Sequence, residues 1–168
     1  MKVLIADDQR VVREGLFTIV GNLPGVEVVG LGANGVVAVA LTVEHAPDVV
    51  LMDLRMPVMD GAEATAVIRS HHPGTQVVVL TTYADDASII TALSAGATGF
   101  LTKDATRDDI RRALEGAAVG QGVLDPGVQA ALLSAAQAGA AGSAAPAPVE
   151  VRPLPDGLTA RSAPAALL

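Results

Sequence analysis

The chain has 168 residues, a net charge of −7, 51% hydrophobic residues and only 2% aromatic ones. That length suits one compact domain plus an extension, and the negative charge argues against a nucleic-acid surface. Cysteine is absent from the sequence, which excludes a disulfide framework, a zinc–thiolate site and a cysteine nucleophile.

The first apolar run, Lys2 to Ala6, is short and stops at the acidic pair Asp7-Asp8. It has no signal-peptide pattern, and no later run reaches the length of a membrane span. The expectation is a soluble, cytoplasmic protein without a membrane partner. Lys2–Ala6 itself reads as a buried strand. Gln9 to Val20 places Val12, Leu16, Ile19 and Val20 at helical spacing, and Gly21-Asn22 with Pro24-Gly25 stops that helix. Val26 to Leu31 reads as a strand and Ala33 to Glu44 as a helix ending near Ala46-Pro47. Asp48 to Met52 is a strand of continuous apolar, β-branched character, the signature of burial on both faces. Asp60-Gly61 reads as turn punctuation, and Ala62 to His71 as a helix closed by Pro73-Gly74. Val77 to Leu80 is a strand, Asp85 to Ala95 a helix, Thr98 to Leu101 the last strand. Thr106 to Val119 is a helix, with Thr106 as N-cap and Asp109 three residues on as a weaker capping box.

Strands and helices alternate throughout, which calls for parallel βαβ units with right-handed crossovers. The predicted fold is α/β: a doubly wound, five-stranded parallel sheet flanked by helices. With so few aromatics, its core has to be built from Val, Leu, Ile and Ala.

Ligands of an open α/β sheet sit outside the carboxyl ends of the strands. Asp53 stands at such an end, after Val49-Val50-Leu51-Met52. Asp7 and Asp8 end the first strand, Thr81 and Thr82 the fourth, and Lys103 follows the fifth. Three carboxylates, hydroxyls and an ammonium at one edge form a constellation. Two carboxylates about 4 Å apart repel by about 4 kcal/mol at an effective dielectric near 20, so the cluster needs a cation. Oxygen ligands without His or Cys select Mg²⁺.

These residues resemble the receiver domain of two-component response regulators. The match rests on Asp7-Asp8, on Asp53 with its MP-x-x-DG tail, on Thr81 and on Lys103, and covers about Met1 to Gly120. The stretches TTYADD and GATGFLTKDA look most like the NarL/FixJ branch. The resemblance implies the flavodoxin-like strand order 2-1-3-4-5. It implies that Asp53 accepts a phosphoryl group from a sensor histidine kinase. Asp8 and Asp53 would ligate Mg²⁺ directly with the Arg55 backbone carbonyl, and Asp7 mostly through water. Lys103 would supply positive charge to the phosphoryl oxygens, and Thr81 would hydrogen-bond one of them. The aromatic switch position is Phe100, which lacks a hydroxyl. Arg55 and Tyr83 would tune hydrolysis of the phosphoryl group. A homodimer is among the implied assemblies.

Other residues have plainer readings. His45, His71 and His72 sit at helix ends, and Met52, Met56 and Met59 read as packing residues. Gly32 and Gly35 form no phosphate loop. Two other functions compete with the receiver. A pseudo-receiver interaction module would keep the fold without phosphorylation, against which the complete site argues. An Asp-nucleophile phosphohydrolase would want a second acid two residues after Asp53, where this chain has Arg55.

Beyond Gly120 the composition shifts. Asp125-Pro126 can start a helix, expected over Val128 to Ala138 as an extension spanning 121–138. From Gly139 to Leu168, Ala, Gly, Ser and Pro predominate, which reads as a flexible linker. Leu158-Thr159-Ala160-Arg161 resembles the threshold of a helix-turn-helix output domain. The chain stops there, so the expectation is a receiver whose output domain has been cut away or lost, and which does not bind DNA by itself.

Overall fold

The computed structural model describes residues 1–82, 85–124 and 126–142. Tyr83, Asp125 and residues 143–168 lie outside the described residues. The chain divides into two units, Met1–Leu132 and Leu133–Leu168. In the second unit the described part is helical.

In chain order the elements are β1 (Lys2–Ala6), α1 (Arg10–Gly21), β2 (Glu27–Gly32), α2 (Gly35–His45), β3 (Val49–Met52), α3 (Gly61–His71), β4 (Gln76–Thr81), α4 (Asp86–Ser94), β5 (Gly99–Thr102), α5 (Arg107–Ala118) and α6 (Pro126–Gly142). The five strands are parallel, in the order β2-β1-β3-β4-β5. This is the doubly wound sheet expected from the sequence. From β1 to α5, element ends differ from the expected ones by at most two residues, and capping explains two of the shifts. Asn34 caps α2 by accepting a hydrogen bond from the Val37 N–H, so the helix starts at Gly35 rather than Ala33. Asp85 caps α4 and therefore stands outside it.

Strand side chains alternate between the two faces of the sheet. Val3, Ile5, Val49, Leu51, Val78, Leu80 and Leu101 pack against Leu16 and Val20 of α1 and Ile110, Ala113, Leu114 and Ala117 of α5. On the other face, Leu4, Val50, Met52, Val77, Val79 and Phe100 pack against Ala38, Ala64, Ile68, Ile89 and Ala92 of α2, α3 and α4. Alanines at the helix–sheet contacts let helices approach a sheet of Val and Leu closely, so few aromatics suffice. All four residues of β3 are buried.

The chain past Gly120 joins this core sooner than its composition suggests. The Phe100 N–H donates to the Val123 carbonyl at 3.0 Å, and Phe100 forms a parallel bridge with Leu124. Val128 of α6 is fully buried in the same cluster as Phe100. The free edge of β5 is thereby partly covered, a common way to blunt an exposed strand edge. The helix α6 is also longer than expected, running from Pro126 to Gly142 and overlapping the first residues of the anticipated linker. Its Ala-rich sequence contains no breaker strong enough to stop it at Ala138.

Asp60-Gly61 is more than turn punctuation. Asp60 is the N-cap of α3, and its carboxylate accepts from the Glu63 N–H at 2.8 Å while Glu63 accepts from the Asp60 N–H at 3.1 Å. Gly61 opens the helix, buried, with its N–H donating to the Leu54 carbonyl at 2.9 Å. A Cβ at Gly61 would collide with the Asp53 carbonyl and stand 2.8 Å from the Leu54 Cα. The glycine thus lets α3 start directly against the strand end that carries Asp53. Gly61→Ala is expected to lower unfolding free energy by about 3 kcal/mol, the upper range for forced overpacking. Denaturant unfolding of the two chains checks this; equal midpoints would show that the backbone has room to spare.

Candidate phosphoryl-transfer site

Backbone register gathers the site. The Asp53 N–H donates to the Ala6 carbonyl at 2.9 Å, the Asp7 N–H to Gly32 at 3.0 Å and the Lys103 N–H to Thr81 at 2.9 Å. Each residue just past a strand end is thus tied to the neighbouring strand. One carboxylate oxygen from each of Asp7, Asp8 and Asp53 lies within 4.8 Å of the others. Asp7 is 1% and Asp53 6% exposed, while Asp8 is open to solvent.

The Lys103 ammonium reaches this cluster from the far side of the sheet's edge. It lies 2.5 Å from Asp7 Oδ2 and 3.5 Å from Asp53 Oδ2. Asp7 Oδ1 accepts from the Gln9 N–H at 2.9 Å, so both Asp7 oxygens are already engaged. The Arg13 guanidinium donates to the Asp7 backbone carbonyl at 2.7 Å. Three carboxylates against one ammonium leave an excess of two negative charges. Burial pushes the Asp53 carboxyl above its ordinary value, and the charge on Asp7 adds to this. Lys103 opposes the shift in part, and Asp8 raises it further.

A cleft of about 130 Å³ opens on these groups, lined by Asp8, Asp53, Arg55, Thr81, Thr82 and Lys103 among others. Thr81 is fully buried at the end of β4. Arg55, two residues after Asp53, places its Nη2 3.8 Å from Asp85 Oδ2. A larger groove of about 420 Å³ lies alongside, lined by Leu54, Arg55, Met56, Ala62, Ala87 and Thr91 among others. The carboxylate cluster is in the smaller cleft, and Arg55 borders both.

The structure therefore brings together Asp7, Asp8, Asp53 and Lys103, with Thr81 and Arg55 on the same cleft. Phe100 is not among the cleft residues. It is fully buried on β5, opposite Val79 of β4 in the register. Tyr83 lies outside the described residues. The loop after β3 holds a strained turn that sequence reading passed over. Val58 has φ +71°, a β-branched residue in the left-handed region, and the Met59 N–H donates to the Pro57 carbonyl around it at 2.8 Å. Gln9, Arg13 and Asp85 also escaped sequence reading. Gln9 and Arg13 act on Asp7 through backbone atoms, one by its own N–H and one on a carbonyl, and backbone contacts leave no side-chain signature. Asp85 carries the ordinary signal of a helix N-cap, and its pairing with Arg55 joins the loops that follow two neighbouring strands, β3 and β4.

Comparison with known proteins agrees with this geometry. Residues 3–115 match the family model described as the response regulator receiver domain. The transcriptional regulatory protein LnrK of Bacillus subtilis is 41% identical over 134 residues, covering 80% of this chain and 61% of that protein. The probable transcriptional regulatory protein NarL of Mycobacterium tuberculosis is 39% identical over 126 residues, covering 75% and 58%. The chain thus spans about three fifths of the length of these curated relatives. Among solved structures, a LuxR-family two-component response regulator from Aurantimonas sp. SI85-9A1 superposes with a TM-score of 0.75 at 30% identity, over 79% of this chain and 95% of that one. The signal receiver domain of the putative response regulator NarL from Mycobacterium tuberculosis does so at 0.69 and 39% identity, over 71% and 97%. Fold, edge chemistry and sequence kinship together make this chain a member of the receiver-domain family of two-component response regulators, of the NarL/LuxR type.

Proposed function

We propose that Asp53 is the phosphoacceptor of this receiver. The supporting observation is the carboxylate cluster itself: a buried aspartate at a strand end, beside two further carboxylates, a lysine and a threonine on one cleft. A sensor histidine kinase is the proposed phosphoryl source. In the reaction a carboxylate oxygen of Asp53 attacks the phosphorus of the donor. The bond from phosphorus to the donor atom breaks, and that atom leaves with the electron pair. The product is an acyl phosphate on Asp53. The reaction makes the chain a signalling phosphoacceptor rather than an enzyme with turnover as its purpose.

The donor set fits Mg²⁺. Its oxygens are hard, and two negative charges in excess of Lys103 call for a divalent cation. Asp8 and Asp53 would hold the ion directly with the Arg55 carbonyl, and Asp7, whose two oxygens are occupied by Gln9 and Lys103, would act through water. Bound Mg²⁺ supplies charge neutralisation at the cluster and at the incoming phosphoryl oxygens. Lys103, within reach of Asp53, is placed to pair with those oxygens as Asp53 is modified. The Thr81 hydroxyl then donates to a phosphoryl oxygen, drawing the end of β4 and its loop inward. Phe100 repacks in response on the neighbouring strand. Without a hydroxyl, its readout is by packing alone, and its contacts with Val123, Leu124 and Val128 offer that change a route toward α6. Arg55 and Tyr83 tune the lifetime of the phosphoryl group. Output is transcriptional control through a dimer, a partner protein or a DNA-binding domain beyond this segment, consistent with the names of its relatives.

Incubation with acetyl phosphate and Mg²⁺ is expected to add the mass of one phosphoryl group. Asp53→Asn is expected to add none. Equal labelling of the two chains by intact mass spectrometry would remove Asp53 from its role.

Thr81→Ala separates chemistry from switching. It should still be labelled at Asp53 but lose most of the phosphorylation-induced shifts in a ¹H–¹⁵N NMR spectrum. Shifts matching wild type would show that Thr81 takes no part in the switch.

The Asp53 carboxyl, held above its usual range, also makes a stability prediction. The folded chain takes up this proton more readily than the unfolded one, so the folded state gains stability as pH falls through the raised value. At neutral pH and without divalent metal, Asp53→Asn should therefore raise the thermal midpoint by a few degrees. The gain should shrink as the pH is lowered toward the ordinary carboxylate range. A midpoint that falls on substitution at neutral pH would show that attraction to Lys103 outweighs burial and repulsion.

A further inference from the structure

Arg55 borders both the phosphoryl cleft and the larger groove beside α4. Its guanidinium lies 3.8 Å from Asp85. Asp85 is at the same time the N-cap of α4. Its Oδ1 accepts from the Ser88 N–H at 3.0 Å and its Oδ2 from the Ser88 hydroxyl at 3.1 Å. The Ser88 hydroxyl and N–H hold the Asp85 carboxyl below its usual range, so it is ionised at neutral pH. Ser88 thus anchors both oxygens of the cap carboxylate. Both side chains are more than half exposed, at 58% and 53%, and a pair this long and this open to water is weak.

A phosphoryl group on Asp53 would place nearly two negative charges and three acceptor oxygens in the cleft that Arg55 already lines. That is a stronger attractor for a planar, five-donor guanidinium than one solvated carboxylate.

We propose that Asp85 is a positioning residue for the phosphoryl site. It draws the Arg55 guanidinium toward the N-terminus of α4, and a phosphoryl group on Asp53 competes with it for that guanidinium. Modification of Asp53 then loosens the tie between the β3–α3 loop and α4, a connection out of the site distinct from the one through Thr81 and the end of β4. By linkage, whatever holds Arg55 on Asp85 weakens its hold on the phosphoryl group by the same factor. The proposal rests on the reading of Asp53 as phosphoacceptor.

Beryllium fluoride with Mg²⁺, a phosphoryl mimic that forms no covalent phosphate, tests it on the full chain. Asp85→Asn removes the charge but keeps a good N-cap acceptor, so α4 retains its start. Titration followed by ¹⁹F NMR is expected to show Asp85→Asn binding the mimic about two- to fivefold more tightly than wild type, the range an exposed ion pair can supply. Arg55→Ala should bind it more weakly, and adding Asp85→Asn to Arg55→Ala should change nothing further. Affinity that is unchanged or reduced in Asp85→Asn overturns the proposal, as does a gain that persists without Arg55. Failure of wild type to bind the mimic at all would overturn the reading of Asp53 itself, and this proposal with it. Circular dichroism of each variant, with helix content equal to wild type, separates these outcomes from loss of α4.

Discussion

Three carboxylates share one ammonium at the carboxyl edge of the sheet, and most of the molecule serves to hold them there. Left in water, Asp7, Asp8 and Asp53 would separate. Here the backbone leaves them little choice. Asp7 and Asp53 are fixed through their own N–H groups to the adjacent strands, and Lys103 is fixed to Thr81 in the same way. The repulsion is then offset by the folding of two apolar layers, not by the site. Burial against Val, Leu and Ala on both faces of β3 supplies free energy that the buried charges cost. A site stabilised from elsewhere can remain short of positive charge, and its three hard carboxylates form a donor set that suits a divalent cation.

The loop after β3 shows the same division of labour. Gly61 brings α3 into contact with the Asp53 carbonyl, and Asp60 and Glu63 close the helix start with reciprocal hydrogen bonds. Just ahead of this cap Val58 is held at φ +71°, an unfavourable conformation for a β-branched residue. A rigid helix start on one side and a rigid strand end on the other span a strained turn. Arg55 belongs to this segment, and its guanidinium, more than half exposed, lies 3.8 Å from Asp85.

On the far side of the sheet, Phe100 links the site's last strand to the chain beyond α5. Its N–H reaches Val123 and its ring shares a cluster with Ile89, Ala92 and Val128. The segment after Gly120 therefore belongs energetically to the receiver core up to about the start of α6. It also keeps the edge of β5 from presenting a full row of unpaired backbone groups.

The sequence by itself determined the element types, the parallel sheet, the composition of the core and which polar residues stand at the strand ends. Each of these is a local property. Burial on both faces writes itself as a continuous apolar run, as in Val49 to Met52, and a strand end as a run that stops at Asp53 or Asp7. Thr106 with Asp109 announced a capping box because both partners lie within one helical turn. Tertiary structure alone decided which charge meets which. Lys103 pairs most closely with Asp7, across 96 positions of sequence, and reaches Asp53 second. Arg55 finds Asp85, and Phe100 finds Val123. It also turned Asp60-Gly61 from a turn into a cap and a close contact, because the atom that excludes a Cβ at Gly61 belongs to Asp53, eight residues earlier. Such pairings depend on strand register and on the angle at which a helix meets the sheet, and neither is a property of neighbouring residues.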